Sequence, residues 1–306
     1  MDKPKGIIPA IATAVSGSTG EINESDQRSI VKFCLKSRVH GIAAAIIVGE
    51  FYKFTDDERK RILSIVVDES NGKVPVWAGT SHFSTEPCVS LARYAKDAGA
   101  DGIIAMPGLA GKANSAADLF DHFSTILTRV DIPLMIQDSE DFNGIRIPAA
   151  VYQKLADQFS HFVSVKVEGG NTFEKISEAR ELLGDRLSII GGMEARELLE
   201  ELGAGATGNI PDVCFPDLLV QAYESYVAGD HIKAAQIFEQ YRPWVEFLIL
   251  HSGSLIEVEK LTLKYRGIIK DPSLRHPFHP LDEKSMTRLS SLMISLESNS
   301  MKSDDS

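Results

Sequence analysis

His161-Phe162-Val163-Ser164-Val165-Lys166-Val167-Glu168-Gly169-Gly170 is the stretch on which the reading of this chain turns. Its apolar, β-branched centre, Phe162 to Val167, has the composition of a buried strand. It ends, however, in a lysine and a glutamate two residues apart. Side chains at i and i+2 of a strand share a face. Lys166 and Glu168 are therefore predicted to stand side by side at the strand's C-terminal end, just ahead of a double glycine. A lysine enclosed by apolar residues can lose its proton and attack a ketone to form a Schiff base. A carboxylate one pleat away can then move a proton on the carbon next to that imine. The same pair also fits a solvated ion pair at a strand end, because most lysines and glutamates are exposed. The rest of the chain decides between the two.

Working outward, short apolar runs alternate with longer amphipathic stretches. The runs are Ile7 to Ala14, Gly41 to Val48, Val74 to Gly79, Gly102 to Met106, Ile132 to Ile136, Phe162 to Lys166, Leu187 to Gly191 and Ala206 to Ile210. Between most of them lie helical patterns: Ser25 to Ser37, a helix capped by Thr55 with Glu58 three residues on, and another opened by Thr85 with Pro87 in its first turn. Ser115 to Val130, Pro148 to Gln158, Thr172 to Leu183 and Met193 to Leu202 continue the rhythm. Eight βα units predict a parallel sheet closed into a (β/α)8 barrel, an α/β fold whose site lies at the C-terminal ends of the strands. A doubly wound open sheet is the alternative. After Pro216 the pattern is helical only, over Asp217 to Ala228, Ile232 to Leu250, Leu255 to Tyr265 and Ser285 to Leu296. The expected organisation is a barrel over 1–225, a C-terminal helical segment packed on it over 226–297, and a polar, disordered tail over 298–306. Gly203-Ala204-Gly205-Ala206-Thr207-Gly208 fits G-x-G-x-x-G, but it follows a helix and enters a strand, the reverse of a dinucleotide site. It reads as a tight turn.

Composition narrows the function. The chain has 306 residues, 43% of them hydrophobic, and a formal net charge of −11. That acidic balance, with no run of five basic residues, argues against nucleic acid as a partner. No apolar stretch reaches 18 residues, so no membrane span is expected. The N-terminus lacks the pattern of a signal peptide. Cys34, Cys88 and Cys214 are few, odd in number and far apart, as in a reduced cytoplasmic protein. The histidines form no HExxH and no Cys/His cluster, so neither a metal nor another cofactor is expected.

Polar residues gather after the predicted strands: Gly49-Glu50, Thr80-Ser81-His82, Gln137-Asp138-Ser139, Lys166 with Glu168, Gly191-Gly192 and Thr207-Gly208-Asn209. Convergence of this kind at one barrel face is what a catalytic site requires. Individually each is ambiguous. His82 fits a satisfied loop histidine, Glu50 a helix-start carboxylate, and Asp138 a turn cap.

The order Gly49-Glu50, Thr55-Asp56-Asp57-Glu58-Arg59, Val74-Pro75-Val76, Gly99-Ala100-Asp101-Gly102, Met106-Pro107, Ile132-Pro133, Lys166 and Gly205-Ala206-Thr207-Gly208 resembles the dihydrodipicolinate synthase/N-acetylneuraminate lyase superfamily. The resemblance runs from Gly6 to about Leu281. It implies a (β/α)8 barrel, a Schiff-base lysine at Lys166, a small-molecule 2-keto acid substrate and a homotetramer. There are departures. Ile47-Val48 stand where better-known members carry paired hydroxyl residues for the substrate carboxylate. Gln137 stands where the family has its catalytic tyrosine, and the synthase's second tyrosine is missing from Pro107-Gly108-Leu109. Thr80-Ser81-His82-Phe83-Ser84-Thr85, Ile132 to Asp138, Lys166-Val167-Glu168, Phe215-Pro216-Asp217 and Arg275-His276-Pro277 are similar to the 2-keto-3-deoxy-sugar-acid dehydratases, the L-2-keto-3-deoxyarabonate dehydratase group above all.

That resemblance implies catalytic roles for Lys166 and Glu168, with His82 as a second proton donor. Ser81, Thr207 and the backbone N–H groups of Val48 and Gly49 are the expected holders of the substrate carboxylate. Gln137 and Asp138 are the expected readers of its hydroxyls. A pyruvate-releasing aldolase and a non-catalytic keto-acid-binding or regulatory barrel remain as rival readings.

Overall fold

The computed structural model describes residues 3–108 and 115–303. Eight parallel strands run in sequence: β1 (Gly6–Ile7), β2 (Ile42–Ala44), β3 (Val76–Gly79), β4 (Gly102–Ala105), β5 (Leu134–Asp138), β6 (Phe162–Val167), β7 (Ser188–Gly191) and β8 (Gly208–Asn209). From β2 to β8 each strand pairs with its sequence neighbour, and β1 pairs with β8. The ring closes between the first two segments through a parallel bridge from Ala10 to Ala43, with Ile11 N–H donating to Ala43 O (2.9 Å) and Ala43 N–H to Pro9 O (2.9 Å). The predicted (β/α)8 barrel is the observed fold.

Several strands are shorter than their apolar runs, for local reasons. Pro9 has no N–H to offer a ladder, so β1 ends at Ile7 and pairing resumes only at Ala10. Ala45 turns into the left-handed region (φ 56°), which stops β2 at Ala44. Pro211 follows closely on β8.

Helices α1 (Glu24–Lys36), α2 (Asp56–Ser70), α3 (Thr85–Asp97), α4 (Ala116–Arg129), the single turn α5 (Glu140–Asn143), α6 (Ala149–Gln158), α7 (Thr172–Leu183), α8 (Leu198–Gly203) and α9 (Pro216–Val227) follow the strands. The expected capping box forms at Thr55–Glu58, and a second forms at Ser115–Asp118. One predicted helix is broken. Met193, Glu194 and Ala195 all have positive φ (50°, 56° and 56°), so the Met193 to Leu202 stretch becomes a short 3-10 turn before α8. Gly203 ends α8 and Gly208 opens β8, so the glycine-rich piece is the αβ turn that was expected.

The core has two parts. Ile8, Ala10, Ala43, Trp77, Ile104, Met135, Val163 and Ile190 are buried together inside the ring. A larger cluster lies between ring and helices. Strands buried on both faces are apolar throughout, which is why their sequences show runs and not alternation.

Helices α10 (His231–Leu250), α11 (Leu255–Tyr265) and α12 (Glu283–Ser303) complete the chain. Between the last two, residues 266–282 form a strap. Asp271 accepts from Gly17 N–H (2.9 Å), and Arg275 bonds Gly20 O (2.6 Å) and Glu58 (2.7 Å) while lying over the Phe54 ring. The strap therefore ties the β1–α1 and β2–α2 loops to the C-terminal segment. The backbone of α12 continues to Ser303, past the boundary expected at 298, and residues 304–306 lie outside the described ones. Among the described residues no helix is long and apolar enough to cross a membrane.

Closure of the ring generates the first prediction. A Cβ on Gly208 would overlap the Gly6 carbonyl of the adjoining strand. Backbone cannot yield as a side-chain tip can, so Gly208→Ala should cost about 3 kcal/mol in urea unfolding. A loss of only a few tenths would mean that the β1–β8 seam adjusts freely.

Candidate active site

Strand β6 decides where the chemistry sits. Its register against β5 slips between Leu134 and Met135, which pair with Phe162 and Ser164. The slip leaves Val163 inside the ring and restores alternation from Ser164 onward. Val165 and Val167 then pack in the cluster between ring and helices, and Lys166 and Glu168 turn inward together. The Lys166 Nζ donates to Glu168 Oε1 at 2.7 Å, with Lys166 only 3% exposed and Glu168 8%. The buried pair, and not the solvated one, is the arrangement present.

Gln137 stands opposite Lys166 on β5 and donates through Nε2 to Glu168 Oε2 at 2.6 Å. Both carboxylate oxygens of Glu168 are thus held. The other end of the amide, Gln137 Oε1, is buried with no partner. Across the mouth, Gly192 presents backbone where any Cβ would strike the Glu168 side chain. The double glycine after β7 thus makes room for the carboxylate.

The neighbouring strand ends supply donors. Ser81 is buried and its Oγ accepts from Met106 N–H (3.0 Å), which leaves its own proton free to donate. The N–H groups of Val48 and Gly49 make no hydrogen bond to any described residue. Both residues are buried, so they form an unfilled pair of donors beside the ring. Glu50, in the left-handed region (φ 53°), is occupied by Lys53 at 2.5 Å.

Three expected site residues lie elsewhere. Thr207 precedes β8, and its Oγ1 is 3.3 Å from both Pro4 O and Ile189 O. It therefore sits at the N-terminal end of the barrel, because β7–β8 register pairs Gly191 with Asn209 and leaves Thr207 at the strand's start. His82 turns toward Asp56 at the start of α2 (3.8 Å), with its Nδ1 accepting from Phe83 N–H. Asp138 alternates to the helix side of β5 and accepts from the Tyr152 hydroxyl of α6 at 2.8 Å. Burial pushes its carboxyl above the ordinary range. Leu109, in the stretch expected to lack a tyrosine, lies outside the described residues.

In their place come residues that strand patterning does not single out. Glu194, held in the left-handed turn after β7, lines a cleft of about 360 Å³ with Ile47, Val48 and Phe142. Its Oε2 is enclosed and unpartnered. Burial, then repulsion from Asp212, pushes its pKa up to about 8, while Lys166 pulls the other way. Burial likewise raises Asp212 to about 6. The Tyr241 hydroxyl lies within hydrogen-bond distance of both Asp212 Oδ2 (3.1 Å) and the Glu194 carbonyl (2.6 Å). Burial also raises Glu201 to about 8, against a hydrogen bond from Asn209 (2.7 Å). The only hint in the sequence is that Glu194 follows the double glycine. A second buried lysine, Lys260 on α11, is lowered by burial to about 8, but its Nζ is given to Ser273 O (2.8 Å) in the strap. No group of three or more His, Cys, Asp or Glu among the described residues is arranged to hold a metal ion.

A buried amine, a carboxylate held at its side, unpaired donors and a second buried acid thus share one end of the ring. The dihydrodipicolinate synthetase family model matches residues 3–295. A 4-hydroxy-tetrahydrodipicolinate synthase from Methanopyrus kandleri is 31% identical over 91% of this chain and 91% of its own. An L-2-keto-3-deoxyarabonate dehydratase from Azospirillum brasilense is 28% identical over 93% of this chain and 92% of its own. In fold, the solved 4-hydroxy-tetrahydrodipicolinate synthase of Methylacidiphilum fumariolicum SolV superposes with a TM-score of 0.91 at 22% identity, over 99% of both chains. A prophage protein of the same family from E. coli K12, solved in complex with pyruvate, superposes at 0.88 with 23% identity, over 96% of this chain and 98% of that one.

The raised acids set a pH dependence of stability. Between the ordinary carboxyl pKa and about 8, the folded chain keeps protons on Glu194 and Glu201 that the unfolded chain has released. Stability is therefore greatest at the acid side of that window, falls as pH rises through it, and levels off above it. Glu194→Gln should reduce the loss between the two ends by about 2 kcal/mol in urea unfolding. An unchanged loss in that variant would show that Glu194 is not held protonated.

Proposed function

Because the chain belongs to the dihydrodipicolinate synthetase family, whose members are lyases, we propose that it is a Schiff-base-forming dehydratase of a 2-keto-3-deoxy sugar acid. The observation that carries this reading is Lys166 Nζ at 2.7 Å from Glu168 Oε1, both enclosed, with a glutamine amide fixing the carboxylate's other oxygen. With no tyrosine at position 137, Glu168 is the acid/base group in contact with the nucleophile. The named activity of the Azospirillum dehydratase and the pyruvate held by the E. coli protein are in keeping with such a substrate.

In the proposed reaction the unprotonated Lys166 amine attacks the C2 ketone, and water leaves to give an iminium. The positive charge acidifies C3. Glu168 takes a C3 proton, the electron pair moves into the C2–C3 bond, and the iminium becomes a neutral enamine. The enamine then pushes out the C4 hydroxyl, which departs as water with the proton carried by Glu168. Hydrolysis frees Lys166. For a five-carbon acid, a proton shift from C5 to C3 gives a C4–C5 enol, and passage of its hydroxyl proton to C4 turns the terminal alcohol carbon into an aldehyde. The net products are then 2-oxoglutarate semialdehyde and one water. Val48 and Gly49 N–H groups, with the Ser81 hydroxyl, are assigned to the substrate carboxylate. Gln137 Oε1, free and buried, is assigned to a substrate hydroxyl. Glu194 takes over the place at the cleft that His82, drawn off to Asp56, does not fill. The reading includes a homotetramer and a cytoplasmic setting, which suits three free, buried thiols.

Three measurements test this. Borohydride reduction in the presence of pyruvate or a 2-keto-3-deoxypentonate should leave a mass adduct on Lys166. An adduct on Lys260, or one that persists in Lys166→Ala, removes the Schiff-base assignment. Glu168→Gln should still trap substrate on Lys166 but lose dehydration by about 10²–10⁴-fold, along with exchange of C3 protons in deuterated solvent. Near-normal turnover would move the base role elsewhere. Product analysis separates the rival chemistry: free pyruvate with an aldehyde, and no semialdehyde, identifies an aldolase.

A further inference from the structure

The opposite end of the barrel holds a cavity of about 580 Å³, inside the range of small-molecule sites. Ile8 and the Trp77 ring are part of its lining, with Pro75 and Pro133. Ile104, Met135, Val163 and Ile190 fill the ring between this end and Lys166, so an occupant here does not reach the candidate active site.

Two residues of the lining carry donors with no partner. The Trp77 indole N–H makes no hydrogen bond to any described residue, whereas that of Trp244 donates to Thr262 Oγ1 at 3.0 Å. His40 Nδ1 accepts from Ile7 N–H (3.2 Å), so the neutral ring carries its proton on Nε2, and that nitrogen is unpaired. Neither nitrogen is sealed from solvent, so each can donate to a molecule held in the cavity. Gly6 lies against the His40 ring so closely that a Cβ there would overlap it, which keeps the imidazole in place. Lys5 and Lys96 also line the cavity, and neither forms an ion pair with a described residue. Two carboxylates oppose them, Asp131 and Asp101, and one oxygen of Asp101 is already taken by Val76 N–H (2.8 Å). With Lys3, which also lines the cavity, three lysines face two carboxylates, an excess of one positive charge on a chain of net charge −11.

We propose that this cavity binds a small planar aromatic anion. Its ring packs on Trp77 between the two prolines, and its anionic group faces Lys5 and Lys96 and accepts from the unpaired N–H groups. An apolar body calls for the indole and proline surfaces, and a negative end calls for the cations. The site stands apart from the Lys166 chemistry, so neither proposal depends on the other.

Trp77 is one of two tryptophans and the other is fully buried, so intrinsic fluorescence reports on the cavity. Titration with 2-naphthoate should give saturable quenching that is absent in Trp77→Phe and unchanged in Lys166→Ala. Affinity should fall about tenfold in high salt, and at least about tenfold in a Lys5→Glu, Lys96→Glu double variant, whose exposed positions leave the core intact. The uncharged 2-naphthamide should bind more weakly than the acid by a similar factor. Equal binding of acid and amide would reduce the cavity to an apolar hollow and overturn the proposal. Loss of binding in Lys166→Ala, an unaffected lysine double variant, or no saturable quenching up to about 1 mM would overturn it as well.

Discussion

An amine and a carboxylate enclosed 2.7 Å apart are costly to bury, and the surrounding structure is organised around meeting that cost. Their mutual attraction offsets part of the lost hydration. The Gln137 amide holds the second carboxylate oxygen, and the backbone of Gly192 leaves room for the Glu168 side chain. The slip of one residue on β6 turns both groups inward on one face. Removing any of these would leave a charge without its partner in an interior that penalises it. Such an interior also makes a fixed charge act more strongly on a bound molecule than it would in water, which is the condition for electrostatic stabilisation of a reacting centre.

The acids around this pair carry the same logic further. One lysine cannot neutralise Glu168, Glu194 and Asp212 together, so burial keeps the others partly protonated. A neutral carboxylic acid differs in kind from a carboxylate, since it can donate a hydrogen bond as well as accept one. The left-handed turn at Met193–Ala195 holds one such acid against the cleft, at a backbone geometry that non-glycine residues adopt only under constraint.

How much of this was legible in the sequence follows from the range of each interaction. The eight apolar runs, the Thr55–Glu58 capping box and the shared face of Lys166 and Glu168 are local properties, and each is present in the structure. Positions set by register between strands were not legible. Thr207 was grouped with Gly208 and Asn209 at the strand ends, but pairing of Gly191 with Asn209 puts it at the other end of the barrel. Asp138 shares a strand with Gln137, yet alternation hands it to Tyr152. His82 was drawn toward Asp56, a residue of the preceding βα unit. Glu194 was hidden for a different reason: its stretch reads as helix, and the three positive φ values that break it fall on Met193, Glu194 and Ala195, none of them the glycine or proline that would signal a break.

The strap at 266–282 bears on how the protein is made. The lysine and glutamate of β6 precede Asp271 and Arg275 in the chain, and it is these later residues that tie down the loops at Gly17–Gly20 and Lys53–Glu58. A nascent chain can therefore hold its reactive residues long before it holds a finished mouth around them. A chain that stopped short of Asp271 would keep the amine while losing the ties that hold the loops around it.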